Sequence, residues 1–294
     1  MKDDFTIAVI GAGTMGKQIS LCAAINGFHV TLTDSFPAAL EKASQFVQEY
    51  LAGRVAKGRL TQEQANAAAV RVTVEADFKK AVENADLVIE AVVEVLSVKQ
   101  DVFRKLDEVC PPKTIFATNS SYIVSSELAR VTNRADRVCN MHFFAPALVM
   151  KLVEIARNDQ TSQETVDTVY SVCEQMQKVP VVLNREIEGF IVDRILDGIV
   201  LEAHRLADLG IATPQDIDKA VRYGLGHPMG PFELNDTTGI DLLYTVLAER
   251  YKATGDPTDK PGMTLSAKYF AGEFGKKTGK GFYDYTEDGK IIRQ

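Results

Sequence analysis

Apolar positions along this chain fall into short runs separated by amphipathic stretches. Residues 5–10, 30–33, 71–74, 87–89, 114–117, 138–141, 151–155 and 179–183 have the length and continuity of buried strands. Helical periodicity fills the gaps. Leu40, Ala43, Phe46, Val47 and Leu51 recur at helical spacing, a basic turn follows at 53–59, and Thr61 with Gln64 three residues later is a capping-box pair. Further helices are predicted over 77–84, over 98–109 with a stop at Pro111-Pro112, and from a cap near Thr161. Strand and helix alternate, so an α/β fold with a mostly parallel sheet is expected. The helical pair near 40–68 interrupts that rhythm and reads as an arm. After Asn184 the pattern changes. Residues 189–209 form one long apolar helix ended by Gly210, and Thr213-Pro214 opens another. No strand alternation follows before Phe282. Two domains are therefore expected, an α/β domain over 1–185 and an all-helical one over 186–294.

The first strand runs directly into Gly11-Ala12-Gly13-Thr14-Met15-Gly16, which opens a helix. Gly11 permits the tight turn, Gly13 clears the approach of a pyrophosphate to the backbone, and Gly16 lets helix and strand pack closely. The amides of Thr14 and Met15 at the helix start then face the phosphates. The second strand ends at Asp34, about 20 residues on, where a carboxylate can accept from both ribose hydroxyls of an adenosine. A tight turn alone explains the glycines but not Asp34. The 1–185 domain is thus a Rossmann dinucleotide-binding domain. A carboxylate at 34, with no Arg in Ser35-Phe36-Pro37, favours NAD over NADP. This stretch alone leaves FAD open.

Composition narrows the class. The net charge of −7 argues against a nucleic-acid binder, whose footprint is basic. An anionic ligand would need a local basic patch, and the arm tip with Arg54, Lys57 and Arg59 is one; a solvated surface hairpin explains the same charges. Cys22, Cys110, Cys139 and Cys173 stand far apart with no CxxC, which reads as buried thiols in a reducing compartment, without a metal site. No secretory signal is read at Met-Lys-Asp-Asp and no apolar run reaches a membrane span of about 18 residues, so the expected location is cytoplasmic.

Four polar residues invite a chemical reading: Ser120 and His142 at strand ends, Glu154 twelve residues after the histidine on the neighbouring strand, and Asp193 early in the long helix. A His oriented by a carboxylate is a general acid/base pair. Beside a nicotinamide it would take the proton of an alcohol while a Ser hydroxyl holds the oxygen. Each has a plainer explanation: a core His beside Phe143, a capping Ser, a Glu paired with Lys151, an Asp paired with Arg194. The residues alone do not choose.

The motifs VIGAGTMG at 9–16, DLVIEAVVE at 86–94, TNSS at 118–121, MHFFAP at 141–146, KLVEI at 151–155, GFIVDRIL at 189–196, GHPMGPFEL at 226–234 and GKKTGKGFYDY at 275–285 choose. Together they resemble the 3-hydroxyacyl-CoA dehydrogenase family nearly end to end. The resemblance implies NAD-dependent oxidation of an (S)-3-hydroxyacyl-CoA, or the reverse reduction, on short chains, by a homodimer joined through the helical domain. It implies His142 as the base, Glu154 as its orienting partner and Ser120 as the holder of the substrate oxygen. Glu90, Ala91, Lys99 and Asn119 fall on the nicotinamide side of the cofactor, and Arg54 and Lys57 on CoA. Two positions depart from the family pattern: Asp193 and Ala145 each stand where an Asn is usual. Asp193 can only accept where the amide could also donate. Two alternatives remain at this level, a hydroxy-acid dehydrogenase that does not use CoA and an NAD-binding relative without turnover. Acyl chain length and physiological direction are not written in these motifs.

Overall fold

The structure, a computed structural model, describes residues 5–292. It divides into two compact units between Ile191 and Val192. The first carries β1 (Thr6–Ile10), α1 (Thr14–Ile25), β2 (His29–Thr33), α2 (Pro37–Ala56), α3 (Gln62–Arg71), β3 (Val72–Val74), α4 (Phe78–Val82), β4 (Leu87–Glu90), α5 (Leu96–Val109), β5 (Ile115–Thr118), α6 (Ser125–Ala129), β6 (Val138–Phe143), β7 (Leu152–Arg157), α7 (Gln163–Gln175) and β8 (Val179–Leu183). The eight strands form one sheet in the order β3-β2-β1-β4-β5-β6-β7-β8. Strands β1 to β6 run parallel; β7 reverses against β6, and β8 follows β7 in parallel. The central strands are buried on both faces, as a helix-covered parallel sheet requires, while the edge strands β3 and β8 stay partly exposed. The order reverses between β1 and β4, so the carboxyl ends of these two strands frame the crevice where such sheets bind ligands.

The arm is α2 and α3. Thr61 and Gln64 exchange both capping-box hydrogen bonds, at 2.9 and 3.1 Å. Val47 and Leu51 of α2 pack with Leu21, Ala65 and Ala68, which fixes the base of the arm on α1. Its tip, Lys57-Gly58-Arg59, is exposed. Residues 186–191 belong to the first unit. Glu186 accepts from the Ser125 hydroxyl at 2.9 Å, and the Gly189 amide donates to the Ser121 carbonyl at 3.1 Å. All four cysteines are free and buried. Burial pushes the thiols of Cys110 and Cys139 up to about 12, which makes them inert.

The second unit is helical: α8 (Val192–Asp208), α9 (Pro214–Leu225), α10 (Pro231–Thr238), α11 (Ile240–Thr254) and α12 (Met263–Phe270). Thr213 caps α9 with Pro214 at its first position. Asp218 accepts from the Phe232 and Glu233 amides at the start of α10, at 2.8 and 2.9 Å, and Asp236 holds the chain end through the Phe282 and Tyr283 amides, both at 2.9 Å. Among the described residues no helix is long and apolar enough to cross a membrane.

One buried histidine of this unit has no counterpart in the sequence reading. His204 packs against Phe232 and Phe282, with ring centroids at 4.7 and 5.5 Å. Its Nε2 accepts from the Asn235 amide at 2.7 Å, so the proton is on Nδ1, which has no partner. Burial lowers the pKa to about 4, with Asp208 pulling weakly the other way. Between the unfolded value of 6.5 and the folded value of about 4, the unfolded chain binds the extra proton, so stability falls as pH falls through that window. The expected loss is on the order of 3 kcal/mol. Urea titrations across this window should show the slope, and His204→Leu should flatten it; an equal slope in the variant would assign it elsewhere.

Candidate active site

The glycine turn and Asp34 come together as the spacing predicts. Ile10 is paired with Glu90 in register, so Gly11 and Ala91 leave the sheet side by side. Gly11 has φ +99°, and a Cβ there would lie 2.6 Å from the Ala91 carbonyl oxygen. A Cβ on Gly16 would lie 1.7 Å from the Gly11 carbonyl oxygen, so the helix can approach the turn only without one. At Gly13 a Cβ would meet nothing within 4 Å, and no side chain caps the helix that follows. The first amides of α1 therefore open onto free space. That space is a cavity of about 760 Å³, walled by Gly11, Gly13, Thr14, Met15, Asp34, Ala91 and Asn119. Asp34 is held in place: its two oxygens accept from the Ala12 and Phe36 amides, at 2.7 and 2.9 Å. A carboxylate has about four acceptor sites, so Asp34 keeps capacity to accept from ribose hydroxyls. An uncapped helix start, an open glycine and a fixed acid fit a dinucleotide.

Glu90 and Lys99 do not line this cavity, contrary to their expected place on the cofactor. Their side chains are 0% and 1% exposed, and they pair with each other at 2.8 Å. Glu90 also accepts from the Thr118 hydroxyl and the Val92 amide, each at 2.7 Å. Both charges are thus spent inside the protein, beneath the loop that follows β4. The exposed member of the network is Glu94, 44% accessible and 3.2 Å from Lys99. Burial opposes its ionisation, but the Ser120 hydroxyl and Lys99 outweigh burial and hold its pKa below the ordinary value. Glu94 enters the sequence reading only as the last residue of the 86–94 motif, with no role of its own.

The acid/base pair is built by strand register. His142 on β6 lies directly opposite Glu154 on β7, which puts both side chains on one face. His142 Nδ1 donates to Glu154 at 3.0 Å, because an ionised carboxylate can only accept. The other Glu154 oxygen accepts from the Ile191 amide at 3.0 Å. Phe144 and Phe190 wall the imidazole, with centroids at 4.6 and 5.3 Å. Phe190 has φ +46°, a strained value for a bulky residue, pinned between the Gly189–Ser121 and Ile191–Glu154 bonds.

The serine on this histidine is Ser121, not Ser120. Ser121 Oγ lies 3.0 Å from His142 Nε2, and with Nδ1 protonated the hydroxyl is the donor. The Ser120 hydroxyl points away: it donates to Glu94 and accepts from the Ile123 amide at 2.8 Å. Glu94 also accepts from the Tyr122 amide at 3.3 Å, so the residues on both sides of Ser121 are tied to one carboxylate. Asn140, which the sequence reading passed over, supports the same loop by donating to the Ile123 carbonyl at 3.0 Å. Asn119 links cavity and dyad. It walls the cavity, and its side-chain oxygen accepts from the Phe143 amide at 3.0 Å.

The remaining expected residues lie elsewhere. Arg54 is half-buried on the arm and Lys57 is exposed at the end of α2. Asp193 is in the first turn of α8, in the second unit, where the helix dipole favours a carboxylate. Ala145 is exposed beside the dyad strand.

Ser121→Ala is expected to lower kcat about a hundredfold at unchanged melting temperature. Ser120→Ala, which removes two loop contacts, lowers the melting temperature with the smaller effect on kcat. Steady-state kinetics and thermal melts of both variants decide; a larger kcat loss in Ser120→Ala reverses the assignment.

Comparison with known proteins bears on the fold and on the family. Residues 6–187 match the family model described as 3-hydroxyacyl-CoA dehydrogenase, NAD binding domain, and residues 189–285 match the model of the C-terminal domain of the same family. A probable 3-hydroxybutyryl-CoA dehydrogenase of Bacillus subtilis is 39% identical over 281 residues, covering 96% of this chain and 97% of the relative. The crystal structure of (S)-3-hydroxybutyryl-CoA dehydrogenase from Ralstonia eutropha is 35% identical, with a TM-score of 0.88 over 96% of this chain and 99% of that one. A 3-hydroxybutyryl-CoA dehydrogenase structure from Escherichia coli is 37% identical with a TM-score of 0.91; it covers 99% of this chain, which spans 60% of the longer protein.

Proposed function

The chain belongs to the 3-hydroxyacyl-CoA dehydrogenase family, and from that premise we propose that it interconverts (S)-3-hydroxyacyl-CoA and 3-ketoacyl-CoA with NAD, on short acyl chains. The observation that carries this reading is the unbroken chain Glu154–His142–Ser121, with both hydrogen bonds at 3.0 Å, one strand from the dinucleotide cavity. When bound, the nicotinamide takes or gives the hydride. In oxidation, His142 Nε2 takes the proton of the substrate 3-hydroxyl as the C3 hydride leaves. In reduction, it returns that proton to the carbonyl oxygen. Glu154 keeps the proton of the neutral imidazole on Nδ1 and stabilises the imidazolium that forms. The Ser121 hydroxyl, which donates to Nε2 here, turns to hold the substrate oxygen. Phe144 and Phe190 keep water off the ring.

Asp34 favours NAD, since a 2′-phosphate would face its fixed carboxylate. Arg54 and Lys57 on the arm suit the phosphates of CoA. A homodimer is supported by large exposed apolar side chains on the second unit, among them Tyr223 at 85% and Phe270 at 76%. Buried reduced thiols support a cytoplasmic location. Purified protein should consume NADH, and not NADPH, when acetoacetyl-CoA is added. NADH binding without consumption would overturn the catalytic reading, and equal use of NADPH would overturn the role of Asp34.

A further inference from the structure

The Ser121 hydroxyl reaches His142 from a turn, residues 119–123, that is gripped from two sides. On one side Glu94 accepts from the Ser120 hydroxyl and the Tyr122 amide. On the other side the Asn140 side-chain nitrogen donates to the Ser120 carbonyl at 3.5 Å and to the Ile123 carbonyl at 3.0 Å. We propose that Asn140 is a positioning residue for the reaction, fixing the Ser121 hydroxyl on His142 Nε2.

The placement follows from strand register. Asn140 and His142 are two residues apart on β6, so their side chains leave the same face of the sheet. One strand thus carries the base and, through Asn140, holds the turn that carries the serine. Opposite Asn140 on β5 is Thr118, the residue from which the turn departs, and its hydroxyl accepts from the Ser120 amide at 3.1 Å. Glu94 holds only donor groups of the turn, and a turn gripped along that edge alone can still rock. Asn140 holds carbonyls on both sides of Ser121 and removes that freedom. A catalytic group displaced by about 1 Å costs up to about a hundredfold in rate, so such rocking matters.

An amide is an expensive choice for this position. Asn140 is 0% exposed, and its Oδ1 has no hydrogen-bond partner among the described residues. Turning the amide over does not help, because Oδ1 would then face the two carbonyl oxygens. A leucine has the same branching and leaves no bare oxygen. What it lacks is the pair of donors, and those donors go to the carbonyls that bracket Ser121. Anchoring the turn for stability alone is the plainer role for them, and it makes a different prediction: a loss of rate that does not depend on Ser121.

A double-mutant cycle therefore tests the role. Its effect on turnover rests on the acyl-CoA reading; the geometry does not. Asn140→Leu should lower kcat on acetoacetyl-CoA about tenfold, with KM and NADH affinity unchanged. In the Ser121→Ala background the same substitution should change kcat by less than about twofold, because the group it positions is gone. Equal losses in both backgrounds, or no loss in the wild-type background, overturn the proposal. Asn140→Ser, which keeps one donor, should lose less, and it carries the cycle if the leucine variant does not fold. A second arm needs no turnover. It follows the 15N resonance of the His142 Nε2 in histidine-labelled protein; the chain has 4 histidines, and His142→Gln assigns the signal. Ser121→Ala removes the hydrogen bond to Nε2 and moves that resonance. The Asn140 variant should move it in the same direction, and an unmoved resonance overturns the proposal even where turnover falls. Absence of acetoacetyl-CoA turnover in wild type would refute the acyl-CoA reading, and the resonance would still decide the role of Asn140.

Discussion

Replacing His142 with glutamine is expected to lower kcat about a thousandfold and to leave NADH affinity unchanged. Glutamine is close in reach and keeps a hydrogen bond to Glu154, but it cannot carry a proton to and from the substrate oxygen at neutral pH. Nothing else at the dyad can take over. Ser121 is a poor base at neutral pH, and Glu154 is buried with one oxygen on the imidazole and the other on the Ile191 amide. The cofactor should be unaffected because the dinucleotide cavity is walled by other residues. Steady-state kinetics with acetoacetyl-CoA and a fluorescence titration of NADH measure both quantities. A kcat within about tenfold of wild type would mean that the proton travels by another route.

Glu154→Gln should cost nearly as much, also about a thousandfold in kcat, by a different cause. The carboxylate accepts from Nδ1–H and so leaves the Nε2 lone pair toward Ser121. A glutamine amide can donate to Nδ1 instead. The proton then sits on Nε2, where the base is needed, and the imidazolium loses its counter-charge. Glu154→Asp keeps the charge on a shorter arm and should recover part of the loss. If glutamine and aspartate variants fall equally, Glu154 holds the strand pair together and does not set the tautomer; full activity in Glu154→Gln would remove it from the mechanism.

What could be read from the chain beforehand follows from how local each feature is. The glycine turn and Asp34 lie in one strand–turn–helix–strand unit, so spacing alone placed them at the crevice. His142 and Glu154 were visible as a pair because a short connection brings adjacent strands together. That β7 reverses against β6 was not visible, since parallel and antiparallel neighbours have the same apolar runs. The sequence reading named Ser120, whereas the serine in contact with His142 is Ser121. In a loop after a strand a single step turns a side chain to the other side, and it takes the Ser120–Glu94 and Ser121–His142 contacts to reveal which serine faces the imidazole. The burial of Glu90 and Lys99 was not legible for a related reason. A charged residue at a strand end reads as ligand-facing until its partner, one helix turn into α5, is seen to bury it. The Asp193 and Ala145 departures are legible in the sequence, and the structure of either unit taken by itself does not explain them.

On the proposed function, the histidine–glutamate dyad and Ser121 act on the C3 oxygen of an acyl-CoA. The most direct test compares initial rates of NADH oxidation on acetoacetyl-CoA and on free acetoacetate with the same purified protein. Rapid oxidation with the thioester, formation of (S)-3-hydroxybutyryl-CoA and negligible turnover of the free acid are expected. Turnover of the free acid alone, or of neither while NADH binds, would contradict it.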